Sequence, residues 1–254
     1  MTKMPVLFVG HGSPMNAIED NNFTCGWEKI ADRIPKPKAI LVVSAHWTTQ
    51  GTKVTDSPKP RQIYDMYGFP RELYEVAYEP AGSPDFAHTV LSLVPQAEID
   101  NRWGIDHGAW SVLKRIFPEA DIPVFQMSLD QSASRQYHYE TGRLLKPLRA
   151  QGVLILGSGN IVHHLGLVNW SLNGGYDWAL EFDQYIKTSI LNRDHDSVID
   201  YRQAGECAHS AFPTTEHFDP LLYVLGATDE SDQIFIFNEA CTLGSISMTS
   251  YLFE

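Results

Sequence analysis

Cysteine and positive charge are both scarce in this sequence. Only three of its 254 residues are cysteines, and no two of them have the C-x-x-C spacing. This argues against a disulfide framework and against a cysteine zinc site. Lysine and arginine number 19 against 31 aspartates and glutamates, which gives a net charge of −12. We therefore expect neither nucleic acid nor an anionic membrane surface among its partners.

Long hydrophobic runs are missing as well. No apolar stretch approaches the roughly 20 residues that a bilayer crossing needs. The N-terminal apolar run over residues 5–9 is too short for a signal peptide. We therefore expect a cytoplasmic protein without a membrane span. The 43% hydrophobic and 20% charged residues that the sequence does contain are typical of a compact globular protein.

Signatures of nucleotide binding and of serine hydrolases are also lacking. The glycine pairs Gly10/Gly12 and Gly157/Gly159 have no third glycine at the G-x-G-x-x-G spacing, and no Walker sequence occurs. There is no G-x-S-x-G elbow, so Ser13 and Ser158 are interpreted as turn residues rather than nucleophiles.

Short apolar runs alternate with amphipathic segments along the chain. Residues 5–10 and 38–44 have the continuous apolar character of buried strands, and residues 23–34 between them have helical spacing. Further helices are predicted over residues 83–94, 108–116, 132–149, 177–192, 202–211 and 217–225, and further strands from about residue 97 and over residues 123–129, 153–157, 233–237 and 245–252. Residues 56–67 have no clear period and are predicted to form an ordered loop, called the flap below. The alternation predicts an α/β fold: one domain over residues 1–254, with a central, mainly parallel sheet flanked by helices on both faces.

Six of the ten histidines stand where a site is expected. In open parallel α/β sheets, ligands bind beyond the carboxyl ends of the strands. The six follow predicted strands or stand at turns beside predicted helices: His11, His46, His107, His163, His164 and His217. Neutral imidazole is the commonest ligand of first-row divalent metals, and three such ligands leave positions open for substrate. The sequence thus indicates a catalytic metal site, and we assign the remaining four histidines, His88, His138, His195 and His209, to structure or surface.

Five short blocks around these histidines resemble, in order, those of the class III extradiol ring-opening dioxygenases. They are GHGSPMN over residues 10–16, SAHW over residues 44–47, DHG over residues 106–108, GSGNIVH over residues 157–163 and EHF over residues 216–218. The sequence is most similar to the DOPA-dioxygenase-type branch, from about residue 4 to the C-terminal strand.

The resemblance implies a single catalytic domain that opens the ring of a small, DOPA-like catechol with O₂. It implies one divalent metal, Fe(II) in the active form, with Zn(II) as a possible occupant of the same ligands. Carried over by position, His11, His46 and His217 look like the metal ligands and His163 like the general acid/base. His107 is similar to the family's second-sphere histidine that contacts substrate or bound oxygen.

Two positions near the site leave alternatives open. A 2-His-1-carboxylate triad is common in Fe(II) oxygenases, so Glu216 is an alternative to His217 as the third ligand. His164 stands where the family commonly has asparagine, and its imidazole could compete with or tune His163.

Two other functions are compatible with the same histidines. One is a zinc hydrolase that uses metal-bound hydroxide, and the other is a non-catalytic metal-binding protein. Aromatic residues near the blocks could line a pocket for a flat ring: Trp47, Tyr64, Tyr67, Phe69, Trp110 and Phe218. Tyr64 and Tyr67 in the flap are the better pocket candidates, whereas Trp110 and Phe218 are interpreted as core.

Overall fold

Ten strands are present in the structure, a computed structural model that describes residues 3–254. They are β1 (Val6–Gly10), β2 (Ala39–Thr49), β3 (Lys53–Val54), β4 (Glu98–Ile99), β5 (Val124–Asp130), β6 (Val153–Gly159), β7 (Ile234–Phe237), β8 (Cys241–Thr242), β9 (Ile246–Ser247) and β10 (Ser250–Phe253). Eight of them form one sheet in the order β4-β3-β5-β2-β6-β1-β10-β7, and β8 pairs with β9. The central strands β5, β2, β6 and β1 are parallel. Within the eight-stranded sheet of residues 3–254, antiparallel pairing of strands is confined to the flanks, where β10 lies between β1 and β7 and β3 pairs with β5.

The helices cover both faces of this sheet. They are α1 (Asn22–Ile30), α2 (Arg71–Tyr74), α3 (Pro84–Leu93), α4 (His107–Ile116), α5 (Arg135–Leu145), α6 (Pro147–Gln151), α7 (Asp177–Leu191), α8 (His195–Ile199), α9 (Glu206–Ser210) and α10 (Asp219–Gly226). None of the helices in residues 3–254 is long and apolar enough to cross a membrane.

Side chains of the central strands enter two hydrophobic cores alternately. In β1, Val6 and Phe8 join the core under α3, α5, α7 and α10, whereas Leu7 and Val9 join the core under α1 and α4. Burial on both faces explains why these strands read as unbroken apolar runs. The predicted fold class, α/β with a mainly parallel sheet between two helical layers, is confirmed.

Several predicted elements are shorter than the sequence indicated. The helix predicted over residues 132–149 is divided into α5 and α6, because Pro147 has no N–H to donate within the helix. Only the end of the helix predicted over residues 202–211 is α-helical, as α9, which begins after Gly205. The φ of Gly205 is +81°, and this backbone conformation interrupts the helix. The strand predicted over residues 245–252 is two strands, β9 and β10. The last predicted helix begins at Asp219 rather than at residue 217, so His217 lies in the preceding turn.

Candidate metal centre

Three imidazoles from distant parts of the chain meet at the carboxyl end of the central strands. His11 follows β1 directly, His46 lies in β2, and His217 lies just before α10. The Nε2 atoms of His11 and His46 are 3.2 Å apart. The ring centroid of His217 lies 5.3 Å from that of His11 and 5.1 Å from that of His46. One nitrogen of each ring lies within 4.8 Å of the other two, so three possible ligand atoms converge.

The spacing of these nitrogens fits one cation. Imidazole nitrogens bind Zn²⁺ at about 2.0–2.1 Å, so two of them on one tetrahedral ion lie roughly 3.3 Å apart. The 3.2 Å between the Nε2 atoms of His11 and His46 is close to that value. Unprotonated nitrogens at this distance repel each other, and a cation bound by both converts that repulsion into attraction. The donor set therefore suits a divalent metal.

Ser158 determines which nitrogen of His11 is free. The hydroxyl of Ser158 donates its one proton to the carbonyl oxygen of Gly108 at 2.6 Å, so it accepts from Nδ1 of His11 at 2.9 Å. Nδ1 therefore carries the proton of the neutral ring, and the lone pair of Nε2 faces His46. The interpretation of Ser158 as a turn residue is wrong, because β6 continues to Gly159 and includes it.

His46 does not follow its strand, as the sequence predicted, but lies within it. β2 runs to Thr49, pairs with β6 only as far as Ser44, and changes register with β5 between Val43 and Thr48. A bulge of this kind bends a strand and re-aims its side chains. The irregular stretch carries His46, whose ring reaches His11.

Burial keeps the three clustered imidazoles neutral. Burial, together with the charges of the neighbouring histidines, lowers the pKa of His11 and that of His217 well below the ordinary value. Burial and the charge of His107 lower the pKa of His46 to about 3. Only the neutral imidazole has a lone pair for a metal, so the three rings are ready to bind one at neutral pH.

His163 lies flat against His217. Their ring centroids are 3.5 Å apart and their planes differ by 6°. The backbone N–H of His163 donates to the carbonyl oxygen of Ala211 at 2.8 Å, which fixes the chain beside the cluster. Burial lowers the pKa of His163 to about 4. At neutral pH this ring is therefore a proton acceptor next to the three converging nitrogens.

His107 is the first residue of α4, and its ring lies against His46. The two ring centroids are 3.9 Å apart, and that of His11 is 6.0 Å from His107. The preceding residue, Asp106, caps the helix by accepting from the N–H of Ala109 at 3.1 Å. Three further donors bond the Asp106 carboxylate: Ser44 Oγ, Gln126 Nε2 and Trp103 Nε1. Burial raises the pKa of Asp106, and this network holds the helix start in place.

Asp65, in the flap, is a site residue that the sequence interpretation missed. Its Oδ1 accepts from the backbone N–H of His107 at 2.8 Å. Its Oδ2 lies 3.0 Å from Nδ1 of His107 and 3.6 Å from Nδ1 of His46. Burial alone would raise the pKa of Asp65, but the hydrogen bonds and charge of His107, with the charge of His46, lower it. A lone acidic residue in an aperiodic segment gave no signal by which to find it.

Glu216 lies beside His217, and His164 is anchored through its backbone. Glu216 accepts from the hydroxyl of Thr214 at 2.9 Å, and its Oε1 lies 3.4 Å from Nδ1 of His217. It is outside the set of three converging ligand atoms, which contains His217. The backbone of His164 is held by Ser245, which accepts from its N–H at 3.1 Å and donates through Oγ to its carbonyl oxygen at 2.9 Å.

The aromatic candidates divide between core and surface. Trp110 and Phe218 are fully buried, as interpreted from the sequence. Trp47 is also buried and stacks on Trp103, with ring planes 7° apart. In the flap, Tyr67 is 92% exposed, whereas the Tyr64 hydroxyl donates to the carbonyl oxygen of Val76 at 2.7 Å. Phe69 is partly buried against the core under α1 and α4.

The four histidines assigned to structure or surface contact residues outside the cluster. His138 is buried, with Nε2 3.1 Å from the carbonyl oxygen of Asp130. His195 bonds the hydroxyl of Tyr139 at 3.0 Å, His88 lies 3.3 Å from Asp56, and the side chain of His209 is 71% exposed.

Comparison with known proteins identifies the family. The protein-family model described as the catalytic LigB subunit of aromatic ring-opening dioxygenase matches residues 3–253 of this chain. A 4,5-DOPA dioxygenase extradiol of Escherichia coli (strain K12) is 43% identical over 98% of this chain and 94% of its own. A 4,5-DOPA dioxygenase extradiol of Beta vulgaris is 37% identical over 97% of this chain and 95% of its own length. A crystal structure of an uncharacterized Escherichia coli K12 protein superposes with a TM-score of 0.87 at 40% identity, covering 99% of this chain and 100% of that one.

The chain therefore belongs to the LigB family of aromatic ring-opening dioxygenases. It is an extradiol ring-cleaving enzyme, an oxidoreductase of a metal-dependent family. The family resemblance and the enzyme class expected from the sequence are confirmed. The alternatives of a zinc hydrolase and of a non-catalytic metal-binding protein are not favoured by these relatives.

Proposed function

We propose that this enzyme opens the ring of a small, DOPA-like catechol with O₂, as a single catalytic domain over residues 1–254 in the cytoplasm. The observation that carries the proposal is the convergence of His11, His46 and His217, with His163 and His107 directly beside them. The relatives named 4,5-DOPA dioxygenase extradiol, which align over nearly the whole chain, support the choice of substrate.

We assign His11, His46 and His217 as the ligands of one divalent metal, Fe(II) in the active form and Zn(II) as a possible occupant. Such a metal, when bound, lowers the pKa of the diol that it coordinates, and iron in addition can exchange electrons with O₂, which zinc cannot. Three protein ligands leave the remaining positions to the reactants. The three rings would hold the metal, and a metal that bound both reactants would make their encounter effectively intramolecular.

His163 is assigned as the general acid/base. Because burial keeps its ring neutral at pH 7, it accepts a proton from a catechol hydroxyl and returns it later to the product. Its stack on His217 keeps its ring beside one of the proposed metal ligands, at a centroid distance of 3.5 Å.

His107 is assigned to the stabilisation of negative charge that grows on oxygen during the reaction. Its backbone is fixed at the start of α4, and its Nδ1 lies 3.0 Å from the Asp65 carboxylate. A donor held in place before the reaction stabilises developing charge without reorganisation.

The proposal is tested with protein reconstituted anaerobically with Fe(II) and then mixed with air-saturated DOPA or protocatechuate. We expect O₂ uptake and a yellow semialdehyde product. His163→Ala should lose turnover while binding the same amount of iron, and His209→Ala, which changes an exposed histidine, should behave as wild type. An absence of O₂ uptake across a catechol screen, with iron occupancy verified by elemental analysis, would contradict the proposed activity.

A further inference from the structure

We propose that Asp65 is a positioning residue that fixes the ring orientation and the protonated nitrogen of both His46 and His107. The inference rests on the proposed function, because it concerns how this chain prepares His46 for a metal and His107 for a reactant.

The flap holds Asp65 on a fixed backbone. The N–H of Ile63 donates to the carbonyl oxygen of Ile105 at 2.8 Å, and the N–H of Ile105 donates to the carbonyl oxygen of Arg61 at the same distance. The indole Nε1 of Trp110, in α4, donates to the carbonyl oxygen of Ile63 at 2.8 Å. These bonds tie the flap to the segment that precedes α4 and to the helix itself. Asp65, two residues beyond Ile63, is thereby placed beside His107.

One carboxylate contacts two imidazoles and a helix end. Oδ1 of Asp65 accepts the backbone N–H of His107, one of the free N–H groups in the first turn of α4, where negative charge is favourable. Oδ2 lies 3.0 Å from Nδ1 of His107 and 3.6 Å from Nδ1 of His46. The contact to His107 is the shorter one, but among residues 3–254 Nδ1 of His107 has no hydrogen-bond partner, so the contacts of Oδ2 to both rings are electrostatic.

The chemistry of the carboxylate favours a proton on the nitrogen of each ring that faces it. An ionised carboxylate only accepts hydrogen bonds, so the nitrogen that faces it is favoured as the protonated one. Nδ1 of His46 and of His107 then carries a proton, and Nε2 of His46 keeps its lone pair. In His46 that atom is the one 3.2 Å from Nε2 of His11. Among residues 3–254, Asp65 is the one carboxylate with an oxygen within 4.0 Å of a His46 ring nitrogen. Partners of this kind orient metal-binding histidines in many proteins.

The variant Asp65→Asn tests this assignment because it keeps the shape of the side chain but adds a donor. An amide N–H that faces Nδ1 favours the wrong tautomer of that ring. We expect D65N to bind Zn²⁺ 10–100-fold more weakly in a chelator competition, the range typical for loss of such a partner. The matched control is Asp56→Asn, the same change in the same flap at a carboxylate that bonds Asn101. It should bind Zn²⁺ as wild type does.

A second measurement does not depend on a variant. Nitrogen NMR of Zn²⁺-loaded wild-type protein labelled in histidine, near neutral pH, should show Nδ1 of His46 and of His107 protonated. An unprotonated Nδ1 in either ring would overturn the inference, and so would unchanged Zn²⁺ affinity in D65N. A wild-type protein that binds no divalent metal would instead contradict the proposed metal centre, irrespective of what Asp65 does.

Discussion

Gly108 packs directly against His46. A Cβ atom built on Gly108 would lie 2.8 Å from Cδ2 of His46 and 2.8 Å from Oγ of Ser44. Only a residue without a side chain leaves room for the imidazole. This explains why glycine stands at the third position of the Asp106-His107-Gly108 block. We expect Gly108→Ala to displace the His46 ring and to lower affinity for Zn²⁺ at least tenfold, with a loss of about 1–3 kcal/mol in the free energy of unfolding from overpacking.

Titration with a competing chelator and urea denaturation measure the two effects of G108A separately. Gly174→Ala is the matched control, because a Cβ there would meet nothing within 4 Å. Equal metal affinity in G108A and wild type would show that the His46 ring has room to move without consequence.

The choice between His217 and Glu216 as third ligand can be decided by a pair of variants. His217→Ala removes one of the three converging nitrogens, so stoichiometric binding of Fe(II) or Zn²⁺ should be lost. Glu216→Gln should keep the metal, because its oxygen lies on the Nδ1 side of His217 and outside the converging set. Elemental analysis of each variant after dialysis measures the metal that it retains. Loss of metal in E216Q and its retention in H217A would make Glu216 the ligand.

Ser158→Ala removes the acceptor for Nδ1–H of His11. The ring is then free to take the other tautomer, whose Nε2 is protonated, and we expect metal affinity to fall about 10–100-fold. Ser128→Ala removes another fully buried strand hydroxyl, which bonds Lys53 and Thr49 instead, and should leave affinity unchanged. Isothermal titration with Zn²⁺ compares the two variants, and similar affinities would argue against the role of Ser158.

A buried ion pair away from the metal centre should govern part of the acid stability. Arg149 donates through both terminal nitrogens to Asp232, at 2.7 and 3.0 Å. Burial alone would raise the pKa of Asp232, but hydrogen bonds from Arg149 and Lys3 lower it to about 2. Asp232→Asn leaves the guanidinium without its carboxylate, so we expect a loss of about 3–5 kcal/mol in the free energy of unfolding.

The pH dependence of this pair follows from the direction of the shift. The folded-state pKa lies below the value of about 3.9 in an unfolded chain, so the ion pair contributes its full stabilisation above about pH 4. This contribution is lost as the pH falls toward 2. Urea denaturation of wild type and D232N should therefore show that the difference between their free energies of unfolding narrows between about pH 4 and 2, and a difference that stays constant over this range would contradict the assignment.

The sequence predicted the parts of the site that depend on local rules. His11 and His163 follow buried strands, and the carboxyl ends of parallel strands meet at one edge, so their proximity could be expected. The position of His46 within β2 could not be predicted from the sequence. The bulge arises from how β2 pairs with β5 and β6, two strands far away in the sequence. Asp65 was missed for a similar reason. Its partners come from β2 and α4, and nothing in its own segment has a period.

The interruption of the helix at Pro147 could have been predicted from the sequence, since a proline in a helix interior removes a donor wherever it occurs. The division of the last predicted strand into β9 and β10 could not have been predicted in this way. It follows from β9 pairing with β8 while β10 inserts between β1 and β7.

The insertion of β10 beside β1 joins the metal centre to a strand far along the chain. Leu7 pairs with Leu252, and the N–H of Gly10, the residue before His11, donates to Oγ of Ser250 at 3.0 Å. A chain still on the ribosome that has not released these residues leaves one flank of the His11 strand without a neighbour. Both flanks of that strand are covered only after translation has passed residue 253, whatever the order in which the helices form.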